Sequence, residues 1–265
     1  MKKIISLILV LLMLVSSLVM TSCFEDREDD GDGDKEINVK SAMEAAGSKM
    51  DTVDSCTGNS TLTIDLKSGG MTITMEMIYN IKMAGLQSDN PLRYADVIAR
   101  TFGAEETGVM YTENGWDYFV VGNEKYKTQV EEDNDASYDG FADSIYDNAK
   151  VEKTDKGNSI KMTFTEEQFL EYFPTTFDSA LEMFDFQEYR DYAVVSDASV
   201  KVLIDKDGYA SEEHLNFKVT ISYQGETIEI VFSSIANYTD FNKPVTITPP
   251  EGYESFTERL DGDII

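Results

Sequence analysis

Met71-Thr72-Ile73-Thr74-Met75-Glu76-Met77-Ile78-Tyr79-Asn80-Ile81-Lys82-Met83 is the most regular stretch of the chain. Met71, Ile73, Met75, Met77, Tyr79, Ile81 and Met83 occupy one phase of a period-two repeat, and Thr72, Thr74, Glu76, Ile78, Asn80 and Lys82 the other. Successive side chains of an extended chain point to opposite faces, so this alternation predicts a long strand with one face on a core and one in water. Strands of that kind belong to antiparallel sheets.

The flanking sequence extends the sheet. Upstream, Leu62, Ile64 and Leu66 alternate with polar residues, and Ser68-Gly69-Gly70 supplies a turn. Before them, Val39, Ala42, Met43, Ala46, Met50 and Val53 recur at helical spacing behind Asn38, a good N-cap. Downstream, Asn114-Gly115 separates Val109-Met110-Tyr111 from Trp116–Val121, and Gly122-Asn123 turns the chain into Lys125-Tyr126-Lys127. Trp116 and Tyr118 are expected on the exposed face, where they could meet a partner, although a lone Trp in a hairpin usually serves packing. Asp205-Lys206-Asp207-Gly208 reads as a turn between strands. Leu215, Phe217, Val219, Ile221 and Tyr223 alternate up to Gln224-Gly225, and Ile228, Ile230 and Phe232 alternate back. A last strand is expected around Val245-Thr246-Ile247, before Pro249-Pro250.

Two helical stretches interrupt the strands. Tyr138, Phe141, Ala142, Ile145, Tyr146 and Ala149 predict the first, over 138–149, after a solvated acidic loop at Glu131–Asp135. The second opens with Thr165-Glu166-Glu167-Gln168, a capping-box pattern, and carries Phe169, Leu170, Phe173, Phe177, Leu181 and Phe184. Pro174 should kink or split it. Helix, strands, two helices and strands again predict an α+β fold: a strongly curved antiparallel sheet, an unclosed half-barrel, with helices covering its concave face.

Composition narrows the function. The 265 residues include 50 Asp+Glu against 22 Lys+Arg, a formal charge of −28, which repels phosphate backbones and argues against a nucleic-acid partner. With two Cys and one His there is little for a disulfide scaffold, a Cys-rich zinc site or imidazole catalysis. Yet 42% of residues are hydrophobic, enough for a large core. Asp30-Gly31-Asp32-Gly33-Asp34 is not an EF-hand, because Lys35 and Ser41 stand where the loop needs Gly and Glu. Cys56 has Asp51 and Asp54 nearby in sequence rather than a base that would activate a thiolate. His214 lies in Glu212-Glu213-His214 and reads as a surface imidazole flanked by acids. No nucleophile-elbow, metalloprotease or P-loop pattern is present, so no enzyme activity, catalytic residue, metal or cofactor is expected.

The N-terminus carries an address. Met1-Lys2-Lys3, an uncharged run from Ile4 to Met20, and Thr21-Ser22-Cys23 have the parts of a secretory signal. Met20-Thr21-Ser22-Cys23 resembles the lipobox of bacterial lipoproteins. In that family the Cys, here Cys23, receives a diacylglycerol and becomes the mature N-terminus. Removal of residues 1–22 takes Lys2 and Lys3 with it and moves the formal charge from −28 to −30. An acidic body of that kind is pushed away from anionic headgroups, so the lipid must hold it at the membrane. The acid-rich, Gly-containing stretch Phe24–Glu36 suits an extended tether.

The element order, together with the lipobox, helix Val39–Val53 leading into Asn59-Ser60-Thr61-Leu62-Thr63-Ile64, the phrase Ile204–Tyr209 and the ending Tyr238–Pro250, resembles the LolA-like and LppX/LprG-like lipoproteins and related Gram-positive lipoproteins. The resemblance implies an unclosed barrel whose mouth is covered by helices and which, in several members, carries a lipid or acyl chain. It transfers no catalytic residue. The expected organisation is a signal peptide over 1–22, lipidated Cys23 and tether over 23–37, one half-barrel domain over 38–256 and a tail over 257–265.

The candidate ligand-lining residues are Met71, Ile73, Met75, Met77, Tyr79, Ile81 and Met83, with Phe169, Phe173 and Phe177 from the helices. Flexible, polarisable Met side chains suit a wall that accepts varied apolar partners; the same residues also suit ordinary core. Two readings therefore stand. In the first, a monomer anchored through Cys23, on the outer face of a Gram-positive membrane, binds an apolar ligand such as lipid in its concavity, gated by the helices at 138–149 and 166–186. In the second, a structural or partner-binding envelope lipoprotein fills its sheet with its own side chains. An accessory subunit of an envelope complex would add a sizeable exposed apolar patch.

Overall fold

The computed structural model describes residues 37–130 and 140–259. The signal sequence, Cys23, the acidic tether, the Glu131–Asp135 segment, Tyr138 and the tail beyond 259 lie outside the described residues.

The long alternating stretch forms β2 (Met71–Ala84), with Met75, Met77, Tyr79, Ile81 and Met83 buried and the intervening residues in contact with water. It pairs with β1 (Ser55–Ser68) through the Gly69-Gly70 turn, and Leu62 lies opposite Met77 and Ile64 opposite Met75. On its other side follow β3 (Leu92–Thr101), β4 (Ala104–Glu113), β5 (Trp116–Val121) and β6 (Glu124–Gln129), each antiparallel to the last. The β4–β5 hairpin turns at Asn114-Gly115 with both φ angles positive (55° and 75°), the geometry that Asn-Gly favours. Past the middle helices come β7 (Lys150–Lys153), β8 (Gly157–Thr163), β9 (Ala193–Asp205), β10 (Ala210–Tyr223) and β11 (Glu226–Thr239). A two-residue strand, β12 (Thr257–Glu258), pairs parallel to β6.

One sheet of twelve strands results, in the order β12-β6-β5-β4-β3-β2-β1-β11-β10-β9-β8-β7. Its halves join where β1 pairs with β11 from Thr57–Thr239 to Ser68–Ile228, and its two ends do not meet. Register shifts on β10 against β9, between Ala210 and Glu212 and between Asn216 and Lys218, bend this half of the sheet. The free edge at β7 is short, fully exposed and carries Lys150, Glu152 and Lys153, which discourages pairing with another chain. This is the unclosed α+β half-barrel expected from the sequence.

Helix α1 (Val39–Met50) starts at Asn38, whose Oδ1 accepts a hydrogen bond from Ser41 N at 3.0 Å. It buries Met43, Ala46 and Met50, and packs against β10. The next helix, α2, spans only Asp143–Asp147, shorter than expected. Asp143, Ser144 and Asp147 are poor helix formers and Ala142 offers no side-chain cap, so the chain leaves the helix before β7. Pro174 divides the second helical stretch as expected, into α3 (Glu166–Tyr172) and α4 (Pro174–Glu182), with Pro at the first turn of the latter. The capping box forms in full: Thr165 Oγ1 accepts from Gln168 N at 3.2 Å, and Gln168 Oε1 accepts from Thr165 N at 2.9 Å. Replacing Thr165 by Ala is expected to cost about 1 kcal/mol, read as a lower urea midpoint with an unchanged slope.

Two expectations need correction. Val245–Ile247 is not a strand. Residues 240–256 run without sheet pairing, and Ile247, Tyr253 and Phe256 among them pack on the outer face against Tyr111 and Tyr118. Tyr118 is accordingly buried, its ring 5.0 Å from Tyr253 and 6.2 Å from Phe256 between centroids. Trp116 stays partly exposed at the edge of this patch, with Lys127 Nζ 4.4 Å from its ring. Arg259 closes the packing through Glu124 at 2.8 Å.

Candidate functional site

The inner face of the sheet is the one surface on which nearly all the expected lining residues converge. Register places Met83 beside Cys56, Ile81 beside Gly58, Tyr79 beside Ser60, Met77 beside Leu62 and Met75 beside Ile64. On the other flank of β2, Ala95, Val97 and Ala99 lie opposite Ile81, Tyr79 and Met77. Met110, Phe119 and Tyr126 continue the face across β4, β5 and β6. Ile81 and Tyr79 on β2 thus stand beside the small Gly58 and Ser60 on β1, and Ile81 and Met77 beside Ala95 and Ala99 on β3.

Two of the expected lining residues fall short. Met71 is 71% exposed and Ile73 half-buried, because the first turn of β2 projects past the core. Met71 therefore does not belong to the buried row. It joins Phe102 (80% exposed, on the β3–β4 turn), Tyr192, Val194 and Tyr223, all exposed apolar residues at the same end of the strands.

Phe169, Phe173 and Phe177 are buried on the other half of the cup. Phe169 lies 4.8 Å from Phe217, which stacks on Phe232 at 4.5 Å, and Phe173 stands 5.2 Å from Phe169 and 5.4 Å from Phe164. Phe177 carries the Arg190 guanidinium over its ring at 5.0 Å. The Met row and the Phe group share one apolar cluster, but the Phe group meets the sheet at β10 and β11 whereas the Met row sits on β2.

The inner face also holds polar groups that the sequence reading assigned to water or left unremarked. Glu213, on β10, is 4% exposed; burial alone pushes its carboxyl up to about 8, so it is mainly protonated at neutral pH. Its neighbour in the row is Ala236 on β11, and beyond that Ser60 on β1. Tyr238, two residues along β11 on the same face, lies opposite Gly58. A Cβ on Gly58 would stand 3.0 Å from Tyr238 Cδ1 and 2.6 Å from Asn237 O, so glycine here lets the tyrosine ring rest against β1. Glu213 Oε2, Ser60 Oγ and Tyr238 OH are buried without a hydrogen-bond partner among the described residues. Burial, followed by the nearby Glu213 and Cys56, raises the Tyr238 hydroxyl well above its ordinary range, against a lowering by Arg93. Cys56 is buried and its thiol is pushed up to about 11 by that burial, the opposite of an activated nucleophile.

A signal for Glu213 was present in the sequence. Counting back by twos from Phe217 and Leu215 puts it in the apolar phase of β10, and the same count puts Ser60 in phase with Leu62 and Tyr238 with Phe232. Reading Glu212-Glu213-His214 as one exposed acidic patch hid this phase. Glu212 and His214 do share the other face, with His214 Nε2 and Glu212 Oε1 2.7 Å apart and Lys201 Nζ 3.0 Å from the same oxygen. A cleft of about 550 Å³ opens near the ends of β9–β11, lined by the charged Asp205, Lys206, Asp207, Asp240 and Lys243 together with Leu203, Tyr209, Tyr238 and Phe241. Among the described residues, no group of three or more His, Cys, Asp or Glu is placed to hold a metal ion, and no helix is long and apolar enough to cross a membrane.

The fold and its inner face define an open antiparallel half-barrel with an apolar concavity. The chain is similar to LprF from Mycobacterium bovis at 9% identity, over 81% of this chain and 97% of that one, with a TM-score of 0.39. It is similar to a DUF1329 family protein from Desulfovibrio piger ATCC 29098 at 11% identity, over 80% and 95%, with a TM-score of 0.27. It is also similar to a domain described as an outer membrane lipoprotein-sorting protein from Vibrio parahaemolyticus, at 12% identity, over 79% and 95%, with a TM-score of 0.24. These matches assign no role to any residue. No family model matches the chain, and no curated protein matches it in sequence.

Proposed function

We propose that this protein is an envelope lipoprotein, non-catalytic, anchored through Cys23 on the outer face of a single bacterial membrane, which binds an apolar ligand in the concavity of its half-barrel. The observation that carries the reading is the inner face itself: Met75, Met77, Met83 and Met110 lie on one continuous buried wall, with Met77 opposite Ala99, Met110 opposite Ala95, and Ile81 and Tyr79 opposite Gly58 and Ser60. Flexible side chains next to small ones make a wall that re-packs around different apolar shapes. Each methylene taken from water into such a wall contributes about 0.8 kcal/mol, so an acyl chain binds by burial alone. The helices on the cup, α2 to α4, stand where a gate would be.

Native mass spectrometry of residues 24–265, purified from cells without detergent and followed by organic extraction, tests this. A stoichiometric apolar adduct is expected, and it should be lost when Met75 and Met77 are both replaced by Trp. A clean apo mass that persists after incubation with membrane lipids would sink the reading.

A second reading is favoured by the exposed apolar end of the sheet. Met71, Phe102, Tyr192, Val194 and Tyr223 lie at the strand ends away from Tyr209 and Phe241. A partner-binding lipoprotein with a filled interior would use that rim. Replacing Met71 and Phe102 by Ser separates the two: loss of envelope complexes supports the partner, whereas unchanged complexes with the adduct retained support the ligand.

A further inference from the structure

The two ends of the strands differ in chemistry. At one end the β9–β10 turn is Asp205-Lys206-Asp207-Gly208, the segment leaving β11 carries Asp240 and Lys243, and the β7–β8 turn carries Asp155 and Lys156. At the other end charge is withheld. Residues 68–75 through the β1–β2 turn, 101–104 through the β3–β4 turn, 192–196 entering β9 and 219–225 up to the β10–β11 turn contain no Asp, Glu, Lys or Arg. These same stretches present Met71, Phe102, Tyr192, Val194 and Tyr223 to water.

Register sets their heights. Val194 pairs with Thr220, Thr220 with Glu229, Glu229 with Lys67 and Lys67 with Thr72. Val194 and Met71 therefore lie within one residue of the same level, on strands about 19 Å apart. Tyr223 continues past Thr220, and its ring meets that of Tyr192 at 4.9 Å. Phe102 follows Thr101, which is opposite Met75, so a plane touching both Phe102 and Met71 is inclined to β2, as strands are to the axis of a barrel. The backbone of Phe102 is unusual. It takes φ 51° ahead of Gly103 at 75°, the conformation of Asn114 and Gly115 in the β4–β5 turn, which suits Asn or Gly and disfavours a bulky side chain. Its ring is 80% exposed, so packing within the fold does not offset that conformation.

We infer that this uncharged rim docks on the lipid bilayer surface, with Met71 and Phe102 at the acyl boundary and Tyr192 and Tyr223 at headgroup level. The inference rests on the anchored-lipoprotein reading above and is independent of any ligand in the concavity. Exposed Phe and Met gain by leaving water, and Tyr, apolar in its ring and polar at its tip, suits the headgroup layer. A chain of formal charge −28 is repelled by anionic headgroups, and an end whose turns carry no acid approaches them with the least repulsion. The path of the chain agrees. Helix α1 ends with Lys49 over the Tyr209 ring at the charged end, where β1 begins, so its first turn, with Lys40 on Asp143, faces the uncharged rim. Fifteen positions separate Cys23 from Asn38, a reach of up to about 50 Å, which exceeds the length of β1.

The test uses the full chain, purified with its own lipid and reconstituted into protein-free vesicles of phosphatidylcholine and phosphatidylglycerol. Trp116, the single Trp, stands beside Asn114-Gly115 at the opposite end and serves as reference. Phe102→Trp, or Met71→Trp, each combined with Trp116→Phe, moves the fluorophore to the rim. Phosphatidylcholine brominated near the carbonyl end of one acyl chain then quenches whatever lies at that depth. The rim Trp is expected to be quenched several-fold more strongly than Trp116, and Met71→Asp should remove most of the quenching at position 102. Two rim positions guard against a variant that fails to fold. Equal quenching of rim Trp and Trp116, or none at either in a chain that floats with the vesicles, overturns the docked rim and leaves the anchor standing. An unquenched rim that cross-links from position 102 to a protein in native membranes assigns it to a protein partner and overturns the lipid contact. A chain that does not float with the vesicles overturns both readings.

Discussion

Replacing Glu213 by Gln is expected to stabilise the protein at neutral and alkaline pH and to leave it unchanged near pH 4. The carboxyl is pushed up to about 8 in the fold by burial, whereas in the unfolded chain it titrates near its ordinary value of 4.5. Below pH 4.5 both states hold the proton and the group contributes nothing to the pH dependence. Between 4.5 and 8 the unfolded chain releases it while the fold keeps it, so unfolding gains about 1.4 kcal/mol for each pH unit. Above 8 both states are ionised and the loss levels off, at about 3–5 kcal/mol in all. Glutamine does not titrate, so the gap between variant and parent melting temperatures should open from zero near pH 4 to roughly 10 °C by pH 8. Thermal melts of both chains across that range are the measurement. Parallel curves would mean that Glu213 is hydrated in solution.

The second large effect is expected at Phe169. It is fully buried, stands between Phe173 of the helical pair and Phe217 of β10, and through Phe217 joins the stack on Phe232. Truncation to Ala removes the ring that fastens α3 to the sheet and leaves a cavity that close-packed aromatics cannot fill, at a cost of about 3–5 kcal/mol. A fall in the urea midpoint of that size, with an unchanged slope, is the expected outcome. Val195 N also donates to Glu166 Oε1 at 3.0 Å, a second tie between α3 and the sheet. A loss below about 1 kcal/mol, accompanied by faster uptake of an apolar fluorophore, would instead identify α3 as a gate that opens in the resting protein.

Much of this sheet could be read locally, and the failures have local reasons too. β2, β10 and β11 alternate cleanly because one face is wet, and their hairpins are closed by Gly69-Gly70 and Gln224-Gly225. β3 gave no such signal: its inner residues Ala95, Val97 and Ala99 are small and weakly apolar, while Tyr94 and Ile98 lie on the outer face. β9 is apolar on both faces around Val200, Val202 and Leu203, so it has no period to detect. Val245–Ile247 has strand-like residues but pairs with no strand, and the segment uses its apolar side chains on Tyr111 and Tyr118 instead. Of the site, the Met row was legible because its period is two. Glu213 was not read there because its charged neighbour Glu212 suggested a surface.

The sequence by itself determined strands β1, β2, β4, β5, β6, β10 and β11 and the turns of their hairpins, that Asn38 and Thr165 start helices and that Pro174 divides one. These depend on backbone sterics, capping and the solvent exposure of alternate residues, all decided within a few positions along the chain. Only the tertiary structure decided that β1 lies against β11, that the outer face of β4 and β5 is covered by the C-terminal segment, and that Ser60, Glu213 and Tyr238 meet around Ala236. The order of strands depends on which faces bury most together across a long loop closure, an energy summed over the whole sheet that no local stretch encodes.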